Sequence, residues 1–147
     1  MFKFLKLKII FVNCLTLLFG ISLVLLPQAV NASEFYFGAE SQERILGDTF
    51  SIGLFVNSED ELVNAVEGKV KYSANTLELK EIFDGDSVVN FWVEKPAGKC
   101  EPDCFVSFAG VTPGGFVNNK GHLFSMIFIA KNFGDVKIST DAGRVLL

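Results

Sequence analysis

The chain has 147 residues, half of them hydrophobic, with 13 basic residues against 17 acidic ones and a formal net charge of −4. That length suits one domain of ordinary size. The acidic balance argues against a nucleic-acid partner, because phosphate neutralisation needs clustered Lys and Arg.

Lys3, Lys6 and Lys8 precede an apolar run from Ile9 to Leu26, and Val30-Asn31-Ala32 then places small residues where a signal peptidase cuts. The pattern predicts a signal peptide over residues 1–32, cleavage after Ala32, and a protein that is secreted or held at the cell surface. The alternative is an uncleaved N-terminal anchor, since the run approaches the length of a spanning helix. Cys14 does not indicate lipidation, because Phe11-Val12-Asn13 offers no small residue before it. Removing residues 1–32 takes three of the thirteen basic residues and none of the acidic ones, so residues 33–147 carry a net charge of −7. A domain of this size buries roughly two-thirds of its unfolded surface.

Strand signals follow one another along the rest of the chain. Glu34-Phe35-Tyr36-Phe37 alternates, and after a Gly47-Asp48 turn so does Thr49–Val56. Ala65–Tyr72 shows the clearest period of two, with Val66, Gly68, Val70 and Tyr72 on one side and Glu67, Lys69 and Lys71 on the other. Leu77–Ile82, Val88–Val93, Val136–Ser139 and Arg144–Leu147 complete the shorter runs, each set off by Gly, Asn, Asp or Ser. Phe105–Ala109 and Leu123–Ala130 are the richest in aromatic and branched residues. Thr112-Pro113-Gly114-Gly115 and Asn118-Asn119-Lys120-Gly121 between them predict one or two chain reversals. Phe124, Met126, Phe128 and Ala130 share one face of the second strand, and Leu123, Ser125, Ile127 and Ile129 the other. Both faces are apolar, so the second is either covered by more of the chain or offered to a partner. No window carries a capped helical stripe. Short strands without crossover helices predict an all-β fold, an antiparallel sandwich. The apolar run ending at Leu147 has no polar tail, which reads as a piece of a longer protein, with any C-terminal anchor lying beyond it.

Catalytic signatures are sparse. No Gly-x-Ser-x-Gly elbow, phosphate-cradling loop or His-Glu-x-x-His is present, and His122 is the only histidine. With 17 acids, some carboxylate pair is always at a plausible distance, so glycoside hydrolysis gains no support. Glu59-Asp60-Glu61 and Asp84-x-Asp86 offer calcium-type oxygen ligands but lack the spaced pattern of a calcium loop, and a solvated acidic loop is the competing reading. No cofactor is implied. Cys100 and Cys104 flank Glu101-Pro102-Asp103, and in an exported protein they predict a small disulfide-closed loop; two cysteines and one histidine fall short of a structural zinc site. Trp92 is read either as core or as a sugar-stacking platform.

Leu46-Gly47-Asp48-Thr49-Phe50-Ser51-Ile52, then Ala65 through Leu79, then Phe105-Val106-Ser107-Phe108-Ala109-Gly110 with Gly114-Gly115-Phe116, and Gly121-x-Leu123 through Ala130, together resemble a bacterial cohesin domain over nearly all of residues 33–147. The resemblance implies a jelly-roll sandwich of about nine strands, related to that of cellulose-binding modules. It implies a non-catalytic scaffolding role, in which cohesins bind calcium-loaded dockerin modules during polysaccharide breakdown or cell-surface assembly. It also places the docking sheet on Ala65–Tyr72, Val88–Val93, Phe105–Ala109 and Leu123–Ala130. The outward candidates are then Glu67, Lys69, Lys71, Phe105, Ser107, Leu123, Ser125, Ile127 and Ile129. The Cys100–Cys104 loop is an addition to the familiar pattern, and the solitary copy fits a small adaptor. The alternative is a carbohydrate-binding module or surface adhesin that takes polysaccharide through Trp92.

Overall fold

A computed structural model describes residues 33–38 and 43–147, and the signal peptide expected over residues 1–32 lies outside them. Among the described residues there are eight strands and no helix: β1 (Glu34–Phe37), β2 (Thr49–Asn57), β3 (Val63–Tyr72), β4 (Leu77–Phe83), β5 (Phe91–Cys100), β6 (Cys104–Phe116), β7 (Gly121–Ala130) and β8 (Ser139–Leu146). They form two four-stranded antiparallel sheets. The back sheet has the order β1-β2-β7-β4 and the front sheet β5-β6-β3-β8. The all-β antiparallel sandwich is therefore what forms, with eight described strands where about nine were expected.

Period-two alternation sends one side of each strand into the space between the sheets. Leu54 and Val56 of β2 and Phe124, Met126 and Phe128 of β7 meet Val66 and Val70 of β3 and Val106 and Phe108 of β6, and all are buried. Burying a side chain of this kind contributes about 1.5–3 kcal/mol. Aromatic edges bind the layers together: Phe108 and Phe124 meet edge to face at 5.1 Å across the sandwich, and Tyr72 meets Phe128 the same way at 5.1 Å. Fully buried Ser58 is paired twice with Asn118. Its Oγ accepts from the Asn118 amide at 3.0 Å and its own amide donates to the Asn118 carbonyl at 3.2 Å. This pins the β2–β3 loop to the β6–β7 link.

Several expected boundaries move, each for a local reason. Val88 lies outside β5, because its amide donates to the His122 carbonyl at 2.8 Å and its carbonyl accepts from Thr112 Oγ1 at 2.9 Å. Its backbone is thus committed to β7 and β6, and the strand begins only at Phe91. Thr112-Pro113-Gly114-Gly115 does not end β6. Val63 pairs with Phe116 while Ala65 pairs with Val111, so the extra residues form a bulge, with Gly114 and Gly115 at φ of 85° and 69°. Residues 136–138 are not strand. β8 starts at Ser139 and absorbs Ala142, at φ 50°, in a bulge opposite the step from Glu67 to Lys69.

The link after β6 carries the chain from the front sheet to the back one. β6 and β7 are consequently not neighbours.

Candidate functional site

The outer face of the front sheet is organised in rows, because the register of four strands sets outward residues opposite one another. Phe91, Val111, Ala65 and Leu146 form an apolar row across β5, β6, β3 and β8. Phe91 and Leu146 at its ends are 63% and 51% exposed. The next row is Glu94, Ala109, Glu67 and Arg144, then Ala97, Ser107, Lys69 and Asp141, then Lys99, Phe105, Lys71 and Ser139. One end of the face is therefore apolar and the rest is charged.

The charges are largely matched within the face. Lys71 Nζ lies 2.6 Å from Asp141, Lys99 Nζ 2.8 Å from Glu94, and Arg144 3.5 Å from Glu67. Ser107 Oγ donates to Glu94 at 2.6 Å, which explains why a hydroxyl on an outer face is buried. Lys99 and then Ser107 hold the Glu94 carboxyl below its usual range, and the Lys71 ammonium does the same to Asp141. Asp141 in turn raises Lys71. Among the described residues, Lys69 alone of Lys69, Lys71, Lys99 and Arg144 has no carboxylate within 4 Å; it lies over the Phe105 ring at 5.0 Å.

The nine residues expected on one docking face are divided by the fold. Glu67, Lys69, Lys71, Phe105 and Ser107 come together on the front sheet. Leu123, Ser125, Ile127 and Ile129 belong to β7 in the back sheet, and β8 takes the fourth place in the front one. Leu123 is corrected twice: the register slips between Leu54 and Phe55, so Leu123 joins Phe124 in the core. Sequence reasoning missed Phe91, Val111, Ala65, Asp141, Arg144 and Leu146. The available signal was charge, since Asp141 and Arg144 complement Lys71 and Glu67.

On the back sheet, Tyr36, Phe55 and His122 share a row across β1, β2 and β7. Ile127 stands between Ser51 and Glu81, and Ile129 between Thr49 and Glu78. His122 Nε2 is 2.9 Å from Ser125 Oγ and its Nδ1 3.4 Å from the Asp86 carbonyl, an arrangement with the outline of a nucleophile and base. Ser125 is paired on both sides, to Gly53 and Phe83, so the adjoining backbone is committed to the ladder rather than to an oxyanion site.

Trp92 is on the core side, half-buried, with its ring 6.3 Å from Phe124 and nearly perpendicular to it. It does not stand on the outer face as a sugar platform. Cys100 and Cys104 are directly paired residues of β5 and β6, joined by a disulfide that closes the hairpin beside the Lys99–Phe105 row. Among the described residues, no group of three His, Cys, Asp or Glu side chains is arranged to hold a metal ion.

No protein-family model matches the chain, and no curated protein matches it. Solved structures do. The sixth cohesin of Acetivibrio cellulolyticus scaffoldin B, solved in complex with a mutant Cel5 dockerin, superimposes with a TM-score of 0.57 at 14% identity, covering 76% of this chain and 83% of that one. CaCohA2 from Clostridium acetobutylicum gives 0.57 at 16% identity, covering 76% and 75%. The cohesin module of a Clostridium perfringens family 33 glycoside hydrolase gives 0.52 at 17%, covering 78% and 81%. Two sheets in the same arrangement, reached by a sequence this divergent, give the chain the fold of the cohesin modules.

Proposed function

We propose that this chain is a non-catalytic, exported binding module that docks a dockerin-type protein through the outer face of its front sheet. The observation that carries the proposal is the graded face itself. An apolar row of Phe91, Val111, Ala65 and Leu146 lies beside rows of fixed ion pairs. Apolar contact supplies affinity and the charged part sets register, the division of labour that protein interfaces use. Several solved neighbours of this fold are complexes with dockerins, which supports a partner of that kind. Lys69, lying on Phe105 without a carboxylate of its own among the described residues, is the cation that meets an acidic group of the partner. The leading lysines and apolar run of residues 1–32 support export to the cell surface or medium.

Isothermal titration of the chain against a panel of calcium-loaded dockerin modules, repeated with a chelator, tests the proposal. Binding to a member of the panel should disappear on chelation and weaken at least about tenfold in Val111→Asp, a loss of the size expected at an interface hot spot. Ile127→Ser on the back sheet should bind as the parent does. If Val111→Asp stays folded and still binds undiminished, the front sheet is not the docking face.

A further inference from the structure

We propose that the back sheet carries a second, independent binding surface, for a neutral polysaccharide chain, with Phe55 as its central stacking ring. Three rings stand in register across neighbouring strands, Tyr36 on β1, Phe55 on β2 and His122 on β7. Their centroids are 5.5 Å and 5.2 Å apart, and Tyr36 and Phe55 are within 20° of parallel. Two glycines shape the middle of the row. A Cβ at Gly38 or Gly53 would meet the Phe55 ring at 2.4 Å or 2.6 Å, so the ring leans over bare backbone on both strands. Phe55, Tyr36 and His122 are each half-buried, so part of every ring in the row is accessible to solvent. The Tyr36 hydroxyl donates to the Asn119 carbonyl at 3.1 Å, which fixes the neighbouring ring. Phe83, 48% exposed, lies on β4 opposite Ser125, with its ring over Gly85.

Charge selects the ligand. The outward residues of β1, β2 and β7 include no lysine or arginine, and β4 adds Glu78 and Glu81 along one side. Lys80, the exposed cation of β4 at the register shift between Leu79 and Glu81, is flanked by Glu78 and Glu81, so an anionic glycan, a nucleic acid or an anionic membrane meets a net negative edge here. Ile127 and Ile129 are flanked by Ser51, Thr49 and the two glutamates, which sets the aromatic row apart as a separate strip. A pyranose ring presents an apolar C–H face bordered by hydroxyls. It stacks on an aromatic ring while its edge hydroxyls find donors and acceptors such as Ser125, His122 and Ser51. An uncharged sugar polymer laid across the strands matches both properties.

The test is co-sedimentation of the full chain with microcrystalline cellulose, insoluble mannan and chitin, beside Phe55→Ala, Phe55→Leu and Lys69→Glu. The parent should be retained by at least one polysaccharide, and both Phe55 variants should lose about tenfold in affinity, the loss of one anchoring ring, while circular dichroism shows each still folded at the assay temperature. Lys69→Glu, on the front sheet, should be retained as the parent is, which keeps this surface distinct from protein docking. Absence of retention on all three polymers overturns the proposal. So does equal retention of Phe55→Leu, which would make the contact merely apolar. A concentration-dependent dimer that Phe55→Ala dissolves would also overturn it, and would make the face an interface between copies of this chain.

Discussion

Ser107 Oγ donates a 2.6 Å hydrogen bond to the same Glu94 oxygen that holds Lys99 Nζ at 2.8 Å. One carboxylate thereby links β5 to the centre of β6, where a serine between Phe105 and Ala109 would otherwise bury an unpaired hydroxyl. Lys69 lies close enough to lower both the Glu94 and the Asp141 carboxyl groups, so the pairs on the front face form one electrostatic unit.

That unit gives the domain a pH dependence of defined sign. Glu94 and Asp141 have carboxyl groups held below their ordinary values of 4.5 and 3.8, Glu94 chiefly by Lys99 and Asp141 chiefly by Lys71. Their contribution to stability is complete above those ordinary values and is lost as pH falls through the lowered ones. Lys71 runs the other way: raised above 10.5, it contributes fully below that value and loses its contribution as pH rises through the raised one. Melting temperatures followed from about pH 6 down to about pH 3 should therefore fall less steeply in a Glu94→Gln, Asp141→Asn double variant than in the parent. Parallel slopes would show that these two groups do not link proton binding to folding.

Gly110 is tested through volume. A Cβ there would lie 2.4 Å from Val89 Cγ1 and 2.9 Å from the Trp92 ring, both part of the packed interior. Gly110→Ala should destabilise the domain by about 1–3 kcal/mol, the usual cost of overpacking, measured by urea denaturation. A stability equal to the parent's would mean that Trp92 swings outward at no cost.

The disulfide is tested by removal. Cys100 and Cys104 close a very short loop, for which the chain-entropy model gives about 2 kcal/mol. A Cys100→Ser, Cys104→Ser double variant should lose about that much in urea denaturation while keeping its far-ultraviolet circular dichroism, because the β5–β6 ladder continues on from this end. Loss of folded structure would place the hairpin tip among the elements on which the fold depends.

Much of the architecture is legible before the structure. Alternation in Ala65–Tyr72 assigns Val66 and Val70 to the core and Glu67, Lys69 and Lys71 to the surface, and the sandwich does so. What alternation cannot supply is sheet membership. Phe105 and Ile127 each lie on an outward face, but whether it is the same face depends on which strands pair, and pairing between distant segments has no local signature. Bulges hide equally well, since one inserted residue reverses the faces of everything beyond it. Hence the Thr112–Gly115 signals read as a reversal although the ladder resumes at Phe116, and the turn residues around Gly134 and Gly143 conceal the extent of β8.

Leu123 and Ile127 share a parity on β7, and simple alternation gives them one face. The slip between Leu54 and Phe55 turns Leu123 fully inward, while Ile127 stays half-exposed between Ser51 and Glu81. Truncating each to alanine should separate them sharply. Leu123→Ala opens a cavity in a region already fixed by Phe124 and Val56, and should cost about 2–5 kcal/mol. Ile127→Ala removes methyl groups that water already reaches in part, and should cost about 1 kcal/mol or less. The comparison is a pair of urea denaturation curves with equal slopes. Similar losses at the two positions would mean that the outer face of β7 is covered as completely as its core face, and would remove the back sheet as a binding surface.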